Sequence, residues 1–188
     1  MINYSELKKG IKIILDNQPY EIIEFSPMFK GRGSSVARTK LKNLINGNVI
    51  AKNFHPSDNF KEAEIIKIPI KFLYYHRDKF FFCEKDNPNK RFDLSKEQIG
   101  QQVEFLKQNQ IIEGIIFQEK IINISLPIKI PLKVTEAPPG IKGNRVEAGT
   151  KTIILETGAK INTPLFIKEG DIVEVNTETG EYVRRLES

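Results

Sequence analysis

The chain has no tryptophan, one cysteine and two histidines among its 188 residues, and each scarcity excludes some chemistry. A lone thiol, Cys83, cannot close an internal disulfide, so the expected setting is a reducing cytoplasm. His55 and His76 are far apart and, with one cysteine, do not supply the ligand spacing of a zinc site. No HExxH, GxSxG, P-loop or CxxC pattern is present. Gly31-Arg32-Gly33 lacks the lysine and hydroxyl of a phosphate-cradling P-loop. Cys83 sits in KFFFCEK, where a small buried residue is the simpler reading than a nucleophile. No catalytic or metal-binding constellation emerges, and no cofactor is expected. MINYSELKKGIKIIL lacks the apolar core of a secretory signal. No run reaches the length of a transmembrane helix, so no membrane partner is expected. With 39% hydrophobic and 28% charged residues, the composition is that of a soluble globular protein.

What the sequence does have is a local excess of positive charge. The 29 basic and 24 acidic residues leave +5. The stretch FKGRGSSVARTKLKNLI, Phe29 to Ile45, holds Lys30, Arg32, Arg38, Lys40 and Lys42 and no carboxylate. Its five cations equal the whole net charge, so the remainder sums to zero. Gly31-Arg32-Gly33 with Ser34-Ser35 reads as a tight loop with Arg32 at its tip. Val36 to Ile45 reads as a strand ending at Asn46-Gly47, a strong hairpin signal. Side chains on a strand alternate between faces, which puts Arg38, Lys40 and Lys42 on one side. Ala37, Thr39, Leu41 and Ile45 then lie on the other. Such a stripe suits the phosphates of a nucleic-acid backbone. It also suits an edge strand that uses lysines to block edge-to-edge pairing. The missing carboxylates favour the polyanion, because a solvated edge usually mixes signs.

Along the chain, short apolar runs alternate with turn residues. Lys12 to Leu15 and Tyr20 to Phe25 flank a turn at Asp16 to Pro19, and Val49 to Phe54 returns after the basic strand. Lys71 to His76 and Lys79 to Glu84 flank Arg77-Asp78, and another turn falls at Asp86 to Asn89. Ser95 and Gln98 form a capping box that predicts a short helix within Ser95 to Leu106. Ile111 to Gln118 and Ile121 to Leu126 form a further hairpin. Lys133 to Thr135, Thr152 to Glu156, Lys160 to Thr163, Asp171 to Val175 and Glu181 to Arg185 are the remaining strands. Tyr4 to Gly10 predicts one helical turn stopped by glycine. The reading is all-β, in three small modules: 1–64, 65–127 and 128–188. Their net charges are +3, +2 and zero.

Several motifs resemble the bacterial elongation factor P family, in its arginine-tipped variant. KGRGSSVARTKLKNL is similar to that family's first-domain loop and strand. APPGIKG, with TGAKINTPLFIKEGDIVEVNTETGEYVRR, resembles its third domain, and IPIKFLYYHRD and DLSKEQIG fall where its middle domain would place them. The resemblance spans the whole chain. It implies an SH3-like (KOW-type) barrel followed by two OB-fold barrels in an L. It also implies a monomeric, non-enzymatic translation factor that binds the ribosome between the peptidyl and exit sites. Such a factor rescues stalls at consecutive prolines by positioning peptidyl-tRNA.

The family places the loop tip near the acceptor end of peptidyl-tRNA. By position Arg32 takes that tip, with Gly31 and Gly33 allowing close approach. Lys30, Arg38, Lys40 and Lys42 then meet tRNA or rRNA phosphates. Tyr182 and Arg185 match positions set against the anticodon stem, although a strand tyrosine also serves barrel packing. Many relatives carry a modified lysine at the tip. Some arginine-tipped members are rhamnosylated, which makes Arg32 a modification site and implies an arginine-modifying enzyme as partner. An amine-directed ligation does not suit a guanidinium. The family often reads Gly-Asp-Thr in the third-domain loop, where this chain has Gly143, Asn144 and Arg145, reversing a charge. The alternatives are a standalone OB-fold RNA-binding protein, an elongation-factor-P-like paralogue with another stall preference, or an enzyme using Cys83 or a histidine.

Overall fold

Most strands form where the sequence alternates or runs in β-branched residues, and several are joined by two-residue turns. The structure is a computed structural model that describes residues 1–28, 36–138 and 149–186. Sixteen strands are found among these residues: β1 (Ile2–Asn3), β2 (Lys12–Leu15), β3 (Gln18–Met28), β4 (Val36–Asn43), β5 (Val49–Phe54), β6 (Asn59–Glu62), β7 (Ile66–His76) and β8 (Lys79–Glu84). They continue with β9 (Asn87–Ser95), β10 (Ile111–Phe117), β11 (Lys120–Ser125), β12 (Lys129–Glu136), β13 (Thr150–Leu155), β14 (Lys160–Pro164), β15 (Ile172–Asn176) and β16 (Tyr182–Leu186). One turn of α-helix, α1 (Lys96–Ile99), follows β9. The all-β expectation holds, and the strands build three sheets, in the orders β1-β6-β2-β3-β4-β5, β11-β10-β7-β8-β9 and β14-β13-β12-β15-β16.

The chain divides into two compact units, residues 1–100 with 113–125, and residues 101–112 with 126–188. The first unit holds the first two sheets. Ile13, Ile22, Leu41 and Phe54 fill the interior of the first sheet with Leu7 and Phe60. In the second sheet Ile70, Phe72, Phe80 and Phe82 are buried. Of the three consecutive phenylalanines, Phe80 and Phe82 face inward, while Phe81 stacks on Tyr74 across the strand pair, ring centres 4.8 Å apart. Helix α1 touches both β9 and β11, the two ends of that sheet, and so caps its open side. Its start is the expected capping box: Gln98 N–H donates to Ser95 Oγ (3.3 Å), and Ser95 N–H donates to Gln98 Oε1 (3.0 Å). Gly100, at φ +71°, stops the α-helix after one turn, and the backbone tightens to a 3-10 helix over Gly100–Phe105.

In the second unit, Val134, Ile153, Leu155, Ile167, Val173 and Val175 form the interior of the third sheet. Strand β14 comes back against β16, which curls the sheet toward a barrel. The segment 101–112 belongs with it. Leu126 N–H donates to Gln102 Oε1, and Lys107 pairs with Glu156 at 2.7 Å. Partial burial raises the pKa of Glu156, but bonds from the Lys107 ammonium and the Lys133 N–H outweigh it and leave the carboxyl below its usual range.

Some elements differ from the sequence reading. β3, β7 and β12 run further than expected, and β1, β6 and β9 were not anticipated. β6 has one apolar residue in four, too little pattern to see, and exists because it fits between β1 and β2. The turn expected at Asp86 to Asn89 falls at Lys85-Asp86 instead, because Glu84 pairs with Asn87. Pro88 then sits inside β9, which is tolerated because β9 is an edge strand. β4 stops at Asn43, and Ile45 lies in the turn, not on the strand's inner face. Three hairpins turn on non-glycine pairs with positive φ: Asp16-Asn17, Arg77-Asp78 and Gln118-Glu119.

One strand position has no room for a side chain. A Cβ on Gly114 of β10 would lie 2.9 Å from Cγ2 of the fully buried Ile70. Gly114→Ala should therefore lower unfolding stability by about 1–3 kcal/mol, the usual cost of overpacking a filled core. Urea denaturation would read the loss, and an unchanged midpoint would mean that β7 yields without strain.

Candidate nucleic-acid interface

The site is built on β4 and follows from its pleat. Ala37, Thr39, Leu41 and Asn43 are buried, which forces Arg38, Lys40 and Lys42 to the outer face. The two neighbouring strands hold β4 in register. Thr39 Oγ1 donates to the Lys52 carbonyl of β5 at 2.7 Å, fixing that side from within. On the β3 side, Arg38, Lys40 and Lys42 stand opposite Ser26, Glu24 and Glu21; on the β5 side they face Asn53, Ala51 and Val49.

The stripe expected from the sequence is therefore present but not free of carboxylates. Lys40 Nζ lies 2.6 Å from Glu24 Oε2, with both side chains about half exposed. The hydrogen bond and charge of Lys40, with a smaller contribution from Arg38, hold the Glu24 carboxyl below its usual range. Glu21 faces Lys42 without an ion pair of that kind among the described residues. Sequence reasoning missed these partners because Glu24 and Glu21 lie on the preceding strand, far upstream of Lys40 and Lys42 in the chain. Pairing the hairpin strands residue by residue would have found them. Three cations against two carboxylates leave a face that is only modestly positive. Arg38 is the member with no carboxylate directly opposite it.

Lys30, Gly31, Arg32 and Gly33 lie outside the described residues, as do Gly143, Asn144 and Arg145. The stretch 29–35 is bounded by Met28 and Val36, which are paired as the last partners of β3 and β4. The far end of the third sheet holds the other expected residues. Tyr182 is half-buried opposite Val175, and Arg185 is exposed opposite Val173. The Arg185 guanidinium rests 5.7 Å from the centre of the exposed Phe166 ring and 3.9 Å from Asp171 Oδ2. Phe166 was not foreseen from sequence, and it supplies an aromatic surface beside a guanidinium. Arg184, its neighbour, is held by Glu174 at 3.0 Å.

Among the described residues no cluster of histidine, cysteine and carboxylate side chains could hold a metal ion. Cys83 is buried, and His55 and His76 are exposed at separate turns. No helix among the described residues is long and apolar enough to cross a membrane.

Known proteins resemble this chain in family and in fold. Residues 3–60 match the family model "Elongation factor P (EF-P) KOW-like domain", and residues 130–185 match "Elongation factor P, C-terminal". Among solved structures, the chain resembles "Eukaryotic translation initiation factor 5A from Methanococcus jannaschii", with a TM-score of 0.51 and 18% identity, covering 66% of this chain and 89% of that one. That likeness concerns the fold. The two family-model matches define a class, translation elongation factors with a KOW-like domain. Whole-length relatives narrow it. Elongation factor P of Carboxydothermus hydrogenoformans is 36% identical over 186 residues, covering 99% of this chain and 100% of the relative. The protein of the same name from Endomicrobium trichonymphae is 41% identical over 185 residues, covering 98% and 100%. The chain belongs to the elongation factor P family, whose members are translation elongation factors and not enzymes.

The Lys40–Glu24 pair generates a pH test. A carboxyl with a depressed folded pKa contributes stability that is present above its unfolded pKa and lost as pH falls through the folded one. The Glu24 carboxyl carbon, followed by NMR, should titrate below an ordinary glutamate, and Lys40→Met should return it toward the ordinary value. Equal midpoints in the two proteins would mean that the pair does not form in solution.

Proposed function

We propose that this chain binds the ribosome between the peptidyl and exit sites and speeds peptide-bond formation at stalls such as consecutive prolines. The observation that carries the proposal is the outward row Arg38, Lys40 and Lys42, which leads directly from the segment that holds Arg32. Family membership supports the setting. Proline is a poor nucleophile and its ring limits approach, so a stall of this kind is a failure of positioning. Holding the acceptor end of peptidyl-tRNA in a reactive geometry restores rate through orientation and asks for no acid or base in the factor.

In this reading Arg32 is the loop tip, and Gly31 and Gly33 let the backbone approach RNA. Lys30, Arg38 and Lys42 bind phosphates of tRNA or rRNA, and Lys40 joins them when phosphate displaces Glu24. Arg32 is also the position for a covalent extension such as rhamnose, added by an arginine-modifying enzyme. Tyr182 and Arg185, the latter with Phe166 beneath it, meet the anticodon stem through stacking and backbone contacts. Asn144 and Arg145, next to Gly143, change the contacts of the third-domain loop with the small subunit. We assign these roles to three modules, 1–64, 65–127 and 128–188, in a monomer that works in the cytoplasm.

Single-turnover synthesis of a triproline peptide in a reconstituted translation system tests the proposal. Native protein should accelerate the reaction and Arg32→Ala should abolish the gain. An intact mass above that of the bare chain would assign the difference between native and recombinant protein to modification. No acceleration by native protein would overturn the function. Separately, ribosome affinity should fall with salt. Arg38→Ala should weaken binding and lower the log–log salt slope by about one counterion, as expected for a single phosphate contact.

A further inference from the structure

Strand β11 reads KIINIS, in which one carboxamide interrupts a run of isoleucines. Asn123 is buried. A buried amide must find partners, and these partners lie on separate parts of the first unit. Asn123 Nδ2 donates to the carbonyls of Gln98 (2.8 Å), Ile45 (3.2 Å) and Leu44 (3.4 Å). Its Oδ1 accepts from the Ile124 N–H at 2.7 Å, which fixes the direction of the amide plane. Gln98 belongs to α1 of the second sheet, whereas Leu44 and Ile45 form the turn that follows β4 in the first.

The contact around this amide is apolar. Leu44, Ala63, Phe117 and Ile122 are buried together, with Ile14, Ile45, Ile65 and Ile115 against them. Apolar contact holds two surfaces together without fixing their angle, because it has no direction. Hydrogen bonds do have direction. The turn is itself tied rigidly to β4. Asn43 Oδ1 accepts from the N–H groups of Ile45 (2.8 Å) and Asn46 (3.3 Å), and the Asn43 amide donates to Gln18 of β3. A continuous line of directed bonds therefore runs from α1 and β11, through the Leu44-Ile45 turn, to the strand that carries Arg38, Lys40 and Lys42.

From this we infer that Asn123 is a positioning residue, which sets the angle between the second sheet and the sheet that presents the basic stripe. The apolar cluster supplies the adhesion, and Asn123 selects one orientation of it. The consequence for peptide-bond formation rests on the function proposed above. A factor that acts by orientation needs a stiff joint between the part that reaches the tRNA end and the part that follows it.

Pulsed EPR on the full chain tests the joint without reference to activity. Nitroxides are attached at Lys52→Cys on the first sheet and Lys90→Cys on the second, in a Cys83→Ser background. With Asn123 intact the distance distribution should be a single narrow peak. Asn123→Asp keeps the size but turns a carboxylate toward three carbonyls, and should widen or displace the peak. Asn123→Gln, which retains an amide, should lie closer to the original. If Asn123→Asp does not fold, Asn123→Ser, which removes the amide, takes its place. An unchanged distribution in a folded variant overturns the inference.

The same variant, without labels, then enters the triproline assay. Its saturating rate should fall about tenfold, with a smaller change in the concentration for half effect, as expected when binding survives but geometry is lost. A widened joint with an unchanged saturating rate would overturn the positioning role. If the unaltered protein gives no acceleration at all, the proposed function fails, while the distance measurement still decides the joint.

Discussion

The pleat of β4 is the constraint on which the rest depends. A strand with a two-residue side-chain repeat has one inner and one outer face. Ala37, Thr39, Leu41 and Asn43 fit the interior, so Arg38, Lys40 and Lys42 have nowhere else to point. A slip of one residue would drive three cations into the core of the first sheet and expose Leu41. The hydrophobic term that buries Leu41 among Ile13, Ile22 and Phe54 is thus the same term that displays the charge. Core and site are two sides of one register.

That register also sets what the site can do. Cross-strand neighbours bring Glu24 and Glu21 beside Lys40 and Lys42. Exposed pairs of this kind add little to stability, but they restrain long side chains and lower the field of the face. Arg38, opposite Ser26, is the one of the three with no carboxylate facing it across β3. On the function proposed above, a face with moderate net charge suits a factor that must leave RNA as well as bind it. At the other end of the strand, Asn43 turns the chain so that Leu44 and Ile45 meet the second sheet. One strand therefore links the charged surface to the joint.

Much of this was legible in the sequence, for physical reasons. Alternation in VARTKLKN and the capping box at Ser95 are local signals, and both translate directly into geometry. The capping box predicted a short helix, and its two reciprocal bonds are present. What escaped were features made by pairing at a distance. Glu24 is invisible as a partner of Lys40 until β3 and β4 are aligned. Phe166 is an unremarkable aromatic until β16 brings Arg185 over it. Asn46-Gly47 suggested a tight hairpin, yet the turn is longer, because Leu44 and Ile45 are drawn into an apolar contact with another sheet. The lone Asn123 in KIINIS was the available sequence signal for that contact. A polar residue in an apolar run asks for a partner, and the sequence could not say which.

In the function proposed above, the outer face of β4 lies against RNA near the acceptor end of peptidyl-tRNA. Cryo-electron microscopy of the chain on ribosomes stalled at consecutive prolines tests this most directly. Density for Arg38 and Lys42 is expected within hydrogen-bonding reach of phosphate oxygens, with Arg32 beside the acceptor end. A bound factor whose β4 face points into solvent, or is covered by protein instead of RNA, would contradict it.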